Sequence, residues 1–244
     1  MLLAIDTSTR YAGIAIADQE RVLASRCWHS TGSHTAQLMP AISNLLKELD
    51  LSVGELDGMA VALGPGGFSA LRVGLSTAKG LALAAGKPLV GVGTLDLEAF
   101  PYLASDRGGS GFGVCAILDS GRKEIASARF GADGLRTRAD TICEPDELLS
   151  EFAQADNCRA EVAQPIIFCG EGVANWRKVL QDGLGSQAVI VSPSSAARLW
   201  SLAEMGRQRL DAEEFDDLAE LQPYYLRMPS IGGPKRRDLM PQRP

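Results

Sequence analysis

Short apolar runs separated by polar turns open the chain and predict strands. The first three runs follow one another closely, which is typical of an antiparallel meander. They cover residues 2–5, 11–17 and 22–28. A helix then begins near His34, because apolar residues recur at the spacing of one helix face up to Leu49. The remaining elements predicted in the first half are strand 57–63, helix 70–85, which ends at Gly86, strand 89–92 and a short helix that starts at Thr94.

The same succession of elements begins again in the second half of the chain. Its predicted elements are strands 112–118 and 124–130, helix 145–155, strand 165–169, helix 173–181, strand 188–191 and a helix from Ser194 or Ser195 to about Leu210. Because both halves share one order, we expect an α/β fold of two similar lobes with a cleft between them. The glycine-rich run 106–111 separates a lobe of residues 1–105 from a lobe of residues 106–228, and a flexible tail covers residues 229–244.

The predicted helix 70–85 is apolar or small on nearly all sides, since only Arg72 and Lys79 are charged. An ordinary surface helix keeps a broad polar face. This helix is therefore either buried within its own chain, or it forms a partner-binding surface with the helix that begins at His34. The second interpretation assigns to the partner the residues His34, Leu38, Ile42, Leu45, Leu71, Leu75, Ala78, Lys79 and Ala82.

Two loops are candidates for binding an anion or a nucleotide. The first follows the first strand and contains Asp6, Thr7 and Ser8. The second leads into helix 70–85, where free N–H groups and the helix dipole favour an anion. Its candidate residues are Gly64, Gly66, Gly67, Ser69 and Arg72. The alternatives are a turn that bonds its own backbone in the first loop and a packing turn in the second.

Composition excludes several classes of protein. The chain has 244 residues, of which 45% are hydrophobic and 22% charged, so it is not an intrinsically disordered protein. It has no apolar run long enough for a spanning helix and no basic segment typical of a signal peptide at its start, so we expect a cytoplasmic protein with no membrane contact. The net charge of −6 argues against binding nucleic acid independently.

Cysteine and histidine are too sparse for most metal or nucleophile chemistry. The five cysteines include no C-x-x-C pair, which indicates scattered thiols and no zinc site. The only histidines are His29 and His34, and neither belongs to a zinc-protease motif. We therefore predict no metal site and no catalysis by a serine–histidine pair.

Two other charged segments have ordinary structural explanations. Asp119, Arg122, Lys123 and Glu124 fall at a predicted hairpin turn, where a solvated tip is the simpler interpretation. The basic run 235–237 lies in the predicted tail and could touch RNA phosphates, although such runs are mostly solvated.

Several motifs together resemble one known family, TsaB, which takes part in the biosynthesis of threonylcarbamoyladenosine in bacterial tRNA. The motifs are LLAIDTST at 2–9, HTAQLMP at 34–40, GPGGFSALRVG at 64–74, AKGLA at 78–82, GVGTL at 91–95 and PYYLR at 223–227. The turn 119–124 is a weaker match, because Arg122 is displaced by one position from the family pattern and Ile125-Ala126 stand where the family has an aromatic pair.

The resemblance implies an actin/Hsp70-like (ASKHA) fold and an accessory role. It implies a non-catalytic subunit that binds and stabilises a TsaD-like enzyme, which transfers threonylcarbamoyl to N6 of adenosine 37 in tRNA. A TsaE-like ATPase would join this complex, tRNA would bind only through it, and the chain alone would form homodimers. TsaD-like enzymes hold a metal with an H-x-x-x-H pair, whereas here Leu38 follows His34 at that spacing. No tightly bound cofactor is expected, although a nucleotide at the partner interface stays open.

Other activities stay open from the sequence. An ATP-dependent small-molecule kinase or ATPase of the same fold would need Asp6 and Asp119 to face a metal-bound nucleotide across the cleft. A protease acting on the partner is a weaker alternative, because the sequence has no histidine dyad or triad.

Overall fold

A computed structural model describes residues 1–30, 34–103, 112–157 and 165–228 of the chain. Its strands are β1 (Leu2–Asp6), β2 (Tyr11–Ala17), β3 (Val22–His29), β4 (Gly58–Gly64), β5 (Leu89–Gly93), β6 (Gly113–Gly121), β7 (Glu124–Phe130), β8 (Arg136–Cys143), β9 (Ile166–Cys169) and β10 (Ala188–Ile190). Its α-helices are α1 (His34–Glu48), α2 (Phe68–Ala85), α3 (Thr94–Leu103), α4 (Pro145–Asn157), α5 (Gly172–Leu184) and α6 (Ser195–Asp211). The predicted link 106–111 and the predicted tail 229–244 lie outside the described residues.

The strands form two five-stranded sheets with the same order. The first sheet runs β3-β2-β1-β4-β5 and the second runs β8-β7-β6-β9-β10. In each sheet the first three strands in the chain are antiparallel neighbours, and the fourth and fifth are added in parallel. The predicted meander and the predicted repetition of two lobes are both confirmed.

Helices cover both faces of both sheets, because successive strand residues point to opposite faces. On β1, Leu3 and Ile5 pack with α1 and α2, whereas Leu2 and Ala4 pack with α6. Helix α3 packs on the inner face of the second sheet, and α4 and α5 cover its outer face. Helices α3 and α6 therefore lie between the two sheets.

Helix α6 comes from the second half of the sequence but packs on the sheet of the first lobe. Leu199, Leu202 and Ala203 are buried against that sheet. Ser194 caps the helix by accepting a hydrogen bond from the amide of Ala197 at 3.2 Å, as the sequence predicts. The end of the chain thus returns to the first lobe.

Residues 212–228, which we name the C-terminal strap, run back across both lobes. The amide of Asp216 donates to the carbonyl of Leu89, and the amide of Tyr224 donates to the carbonyl of Leu63. Further along, Leu226 packs on the core of the second lobe. Arg227 then forms two hydrogen bonds, of 2.6 and 2.9 Å, to the carboxylate of Glu124. The strap therefore fastens the two lobes together across the cleft.

One strand was not predicted, and the start of one helix differs next to the candidate site. Strand β8 was not predicted, because this edge strand is largely exposed and lacks an apolar alternation. Helix α2 begins two residues earlier than predicted, at Phe68, directly after Gly67. Among the described residues, no helix has the length and apolar character needed to cross a bilayer.

Candidate functional site

A cavity of about 780 Å³ lies between the lobes. It is bounded by the β1–β2 loop, the glycine loop before α2, the β6–β7 turn and the C-terminal strap. The residues that line it include Ser8, Thr9, Arg10, His34, Gly66, Gly67, Phe68, Asp119, Arg122, Glu171, Tyr225 and Arg227. The predicted cleft is therefore present, and both candidate loops border it.

Asp6 is buried at the floor of this cleft and is fully engaged within the chain. Its Oδ1 accepts hydrogen bonds from the amide of Ser8 at 2.8 Å and from the Ser8 hydroxyl at 2.6 Å. Its Oδ2 accepts from Nε of Arg198. The turn that bonds its own backbone, one of the two interpretations of this loop, is thus the observed structure, and the Asp6 carboxylate has no face open to a ligand.

Arg198 joins the two lobes at the cleft floor. It comes from α6, is only 2% exposed, and donates from Nη1 to Glu98 at 2.9 Å and to Glu171 at 3.3 Å. Its Nη2 donates to the hydroxyl of Thr9 at 2.8 Å. Thr9 belongs to the first lobe and Glu171 to the second, so one guanidinium binds both.

The charges around Arg198 shift one another's protonation. Burial raises the pKa of Glu98, and the nearby guanidinium offsets only part of this rise. Burial would lower the pKa of Arg198, but the carboxylates of Asp6 and Glu98 outweigh it and hold that pKa above its usual value. The guanidinium therefore stays charged, and Glu98 takes up a proton more readily than an ordinary glutamate does.

The glycine loop is packed against the loop that follows β1. The amide of Gly67 donates to the carbonyl of Ser8 at 3.1 Å, and a Cβ on Gly66 would lie 2.1 Å from the same oxygen. Gly64 has φ +113°, which favours glycine. The hydroxyl of Thr7 donates to the carbonyl of Ala70 at 2.7 Å. The structure brings these candidates together in contacts with one another, as the packing interpretation expects.

Ser69 and Arg72, the last two anion candidates, are exposed at the start of α2. The Arg72 guanidinium lies 3.9 Å from the centre of the Phe68 ring and donates to the Tyr225 hydroxyl at 3.1 Å. Arg72 therefore binds an aromatic pair at the rim of the cleft. Whether the loop also holds an anion stays a prediction.

Most of the predicted partner-binding residues are part of the chain's own core. The buried ones are Leu38, Ile42, Leu45, Leu71, Leu75, Ala78 and Ala82. The prediction that these side chains contact a partner directly is therefore corrected, because the apolar side of α1 and α2 faces their own sheet. His34 and Lys79 are half-buried. Gly74, Ala78 and Ala82, which are spaced four apart on α2, also face inward, and a Cβ on Gly74 would lie 2.3 Å from the hydroxyl of Thr7.

The same two helices present another surface to solvent, which we name the α1/α2 outer face. Its larger apolar members are Met39, 45% exposed, and Leu83, 75% exposed. Its smaller exposed members include Ser76, Gly80 and Ala84. A Cβ on Gly80 would meet no atom within 4 Å, so the surface is open at this position.

Comparison with known proteins decides the family. The family model for TsaD, tRNA N6-adenosine threonylcarbamoyltransferase, matches residues 29–230. The chain belongs to the TsaD family. Within it, the chain is similar to the TsaB protein of Bacillus subtilis, named as a tRNA threonylcarbamoyladenosine biosynthesis protein. The two are 27% identical over 229 residues, which cover 93% of this chain and 94% of that relative.

Solved structures agree on the fold of this TsaD-family chain. YeaZ from Pseudomonas aeruginosa superposes with a TM-score of 0.70 at 23% identity, covering 92% of this chain and 99% of YeaZ. A ROK hexokinase from Thermus thermophilus superposes with a TM-score of 0.51 at 11% identity, covering 86% of this chain and 99% of the kinase. The expected resemblance to TsaB and the expected two-lobed ASKHA fold are both confirmed.

A metal held by a histidine pair, as the resemblance implies for TsaD-like enzymes, does not fit this member of the TsaD family. Leu38 stands at the second position and is buried. Burial lowers the pKa of His34, and its buried Nδ1 has no hydrogen-bond partner. Among the described residues, no group of three or more histidine, cysteine, aspartate and glutamate side chains is placed to hold a metal ion.

Sequence reasoning missed Arg198 and its partner Glu98. The available signal was a charged residue in the apolar stripe of α6, one turn before Leu202. Glu171 lies in the turn between β9 and α5, directly before that helix. The second acid required by a kinase, Asp119, is also engaged, because its two oxygens accept from the amide of Gly121 at 2.8 Å and from Asn175 at 2.5 Å.

Proposed function

We propose that this chain takes part in the synthesis of N6-threonylcarbamoyladenosine in tRNA, as the non-catalytic subunit that binds and stabilises a TsaD-type threonylcarbamoyltransferase. The alignment with a TsaB protein over nearly the whole of both chains carries this proposal. In it, the partner transfers threonylcarbamoyl to adenosine 37, and a TsaE-like ATPase joins the complex.

The cleft supports an accessory role. In a kinase or ATPase, the acids of the cleft must be free to orient a metal-bound phosphate. Here the Asp6 carboxylate accepts hydrogen bonds from Arg198 and Ser8, and the Asp119 carboxylate accepts hydrogen bonds from Asn175 and Gly121. Because Asp6 is buried in an ion pair with Arg198, this cleft is better suited to an accessory role than to phosphoryl transfer.

The α1/α2 outer face is the surface we propose for the partner. Small side chains such as those of Ser76 and Gly80 let a second helix approach closely, and the exposed Met39 and Leu83 supply apolar area. A TsaD-type partner of the same fold would offer equivalent helices, so four helices would pack together. In the absence of that partner, a second copy of this chain would use the same face as a homodimer.

The experiment is binding to a TsaD-type enzyme by titration calorimetry, comparing the unmodified chain with Gly80→Arg. Nothing surrounds Gly80 in the isolated chain, so the substitution leaves the fold intact while it places a long charged side chain in the contact. We expect affinity to fall at least about a hundredfold, the size of a central hot-spot loss.

The matched control is Val189→Arg, an exposed apolar position on β10 at the edge of the second sheet. It should bind the partner with unchanged affinity. Equal affinity of Gly80→Arg and the unmodified chain would show that the partner binds elsewhere.

A further inference from the structure

Cations gather at the rim of the interlobe cavity without acidic partners. Arg10 from the β1–β2 loop and Arg122 from the β6–β7 turn both line the cavity, and Lys123 follows Arg122 in that turn. Among the ion pairs between described residues, none includes these three side chains. Each is exposed. The two lobes thus contribute positive charge to one opening.

Two of the three acids in the same region have cationic partners of their own. The third, Asp119, accepts hydrogen bonds only from the neutral amides of Gly121 and Asn175, so it offsets one of the three positive charges. Glu171 is paired with Arg198, and Glu124 is paired with Arg227 of the strap. The rim is therefore locally positive although the chain has a net charge of −6.

The turn that carries two of the cations has a backbone conformation that is unfavourable for long side chains. Arg122 and Lys123 have φ values of 53° and 64°, the left-handed region that asparagine and glycine adopt more readily in two-residue hairpins. Two long basic side chains at these positions bring no buried contact that would offset the backbone cost. Their charges at the cavity rim are what these residues add to the structure.

An aromatic pair lies on the same rim. The rings of Phe68 and Tyr225 are 4.9 Å apart, and the Arg72 guanidinium lies over Phe68. Tyr225 is half-buried and also lines the cavity. Unpaired bases stack on aromatic and guanidinium planes, while neighbouring cations bind phosphates, and this combination is typical of sites for single-stranded nucleic acid.

We propose that this rim binds a single-stranded segment of tRNA, with Arg10, Arg122 and Lys123 on its phosphates and the aromatic pair beside its bases. The proposal rests on the proposed function, and it adds a direct tRNA contact made by this chain inside the complex. Because the rest of the chain is acidic, the rim is too small to bind RNA tightly without the partner.

The test uses the complex of the full chain with its TsaD-type partner and fluorescently labelled tRNA. The variant is Arg122→Asn together with Lys123→Gly, which removes both charges and installs the residues that this turn favours, so the fold is not weakened. At about 0.15 M KCl we expect the Kd for tRNA to rise roughly tenfold. The slope of log K against log salt should fall by roughly 1.5, for two lost phosphate contacts.

The matched control is Arg177→Ala with Lys178→Ala, which removes the same charge from the exposed side of α5 and should leave the Kd unchanged. An unchanged Kd and salt slope in the turn variant overturn the proposal. So does a loss of affinity for the protein partner with tRNA affinity intact, because the rim would then bind an acidic protein segment. If the unmodified chain does not assemble with the partner, the proposed function fails and this inference falls with it.

Discussion

At the scale of single residues, the Arg198 cluster contributes most to the cleft. A buried guanidinium that satisfies acids from both lobes costs much desolvation, but removing it leaves buried carboxylates without a partner. We predict that Arg198→Met lowers the free energy of unfolding by about 3–5 kcal/mol. Urea denaturation measures this change.

The control for Arg198 is Arg207→Met, which breaks two ion pairs of comparable length on the partly exposed side of α6. Exposed pairs contribute little, so this variant should lose at most about 1 kcal/mol. If both variants lost the same free energy of unfolding, the buried Arg198 cluster would contribute no more to stability than an exposed ion pair.

Glu98 should make the stability of the protein depend on pH. Burial raises its pKa above the usual 4.5, so between the usual and the raised pKa the folded protein holds a proton that the unfolded chain has released. Stability from this group is therefore lost as the pH rises through that window. Glu98→Gln copies the protonated form, and its stability relative to the unmodified protein should increase from pH 4.5 upward. A constant difference across urea titrations at several pH values would contradict this assignment.

Some contacts of single residues could be predicted from the sequence, and others could not. The Asp6 turn could be anticipated, because aspartate and serine two residues apart commonly bond each other. The Arg198 contacts could not, since Arg198 is separated from Asp6 by 192 positions and from Glu98 by 100. Only the assembled fold brings α6 back to the first strand.

At the scale of elements, helix α2 carries small residues on both its buried side and its exposed side. Gly74 fits against Thr7 of the cleft floor, whereas Gly80 faces open space. The sequence does not distinguish the two glycines, because both lie in a helix that is apolar or small on nearly all sides. The interpretation of a helix buried in its own chain therefore describes the Gly74 side, whereas a partner surface remains a proposal for the Gly80 side.

Alanine substitutions separate these two sides. Gly80→Ala should stabilise the monomer by about 0.5–1 kcal/mol, because alanine is the better helix former where nothing obstructs its methyl group. Gly74→Ala should instead destabilise it by about 1–3 kcal/mol, the usual cost of overpacking, which here opposes the helix gain. Thermal and urea unfolding of the two variants check the signs. Stabilisation by Gly74→Ala would contradict the described packing of α2 on the β1–β2 loop.

Most elements could be predicted because their apolar periodicity is strong, as in α1, where buried leucines and isoleucine recur on one face. The exception was β8, whose exposed edge carries Arg136 and Arg138 and shows no alternation. Its place in the sheet depends on pairing with β7, an interaction between segments that local patterns do not encode.

At the scale of the whole molecule, the two lobes are similar in topology but are not independent units. Helix α6 leaves the second lobe to cover the first sheet, and the C-terminal strap returns to the second lobe at Arg227. The repetition of elements predicted the two lobes. It could not predict these returning segments, because they lie outside the repeated pattern. They give a cleft held by Arg198 at its floor and by the strap at its opening.

The central claim is that this chain serves a TsaD-type enzyme in making N6-threonylcarbamoyladenosine without performing the transfer itself. The most direct measurement is formation of the modified nucleoside in tRNA, by mass spectrometry, from threonylcarbamoyl-adenylate with the TsaD-type enzyme, the TsaE-like ATPase and this chain, each component being omitted in turn. We predict no product from this chain alone and a loss of product when it is left out. Product from this chain alone, or undiminished product in its absence, would show that it is not an accessory subunit of the transferase.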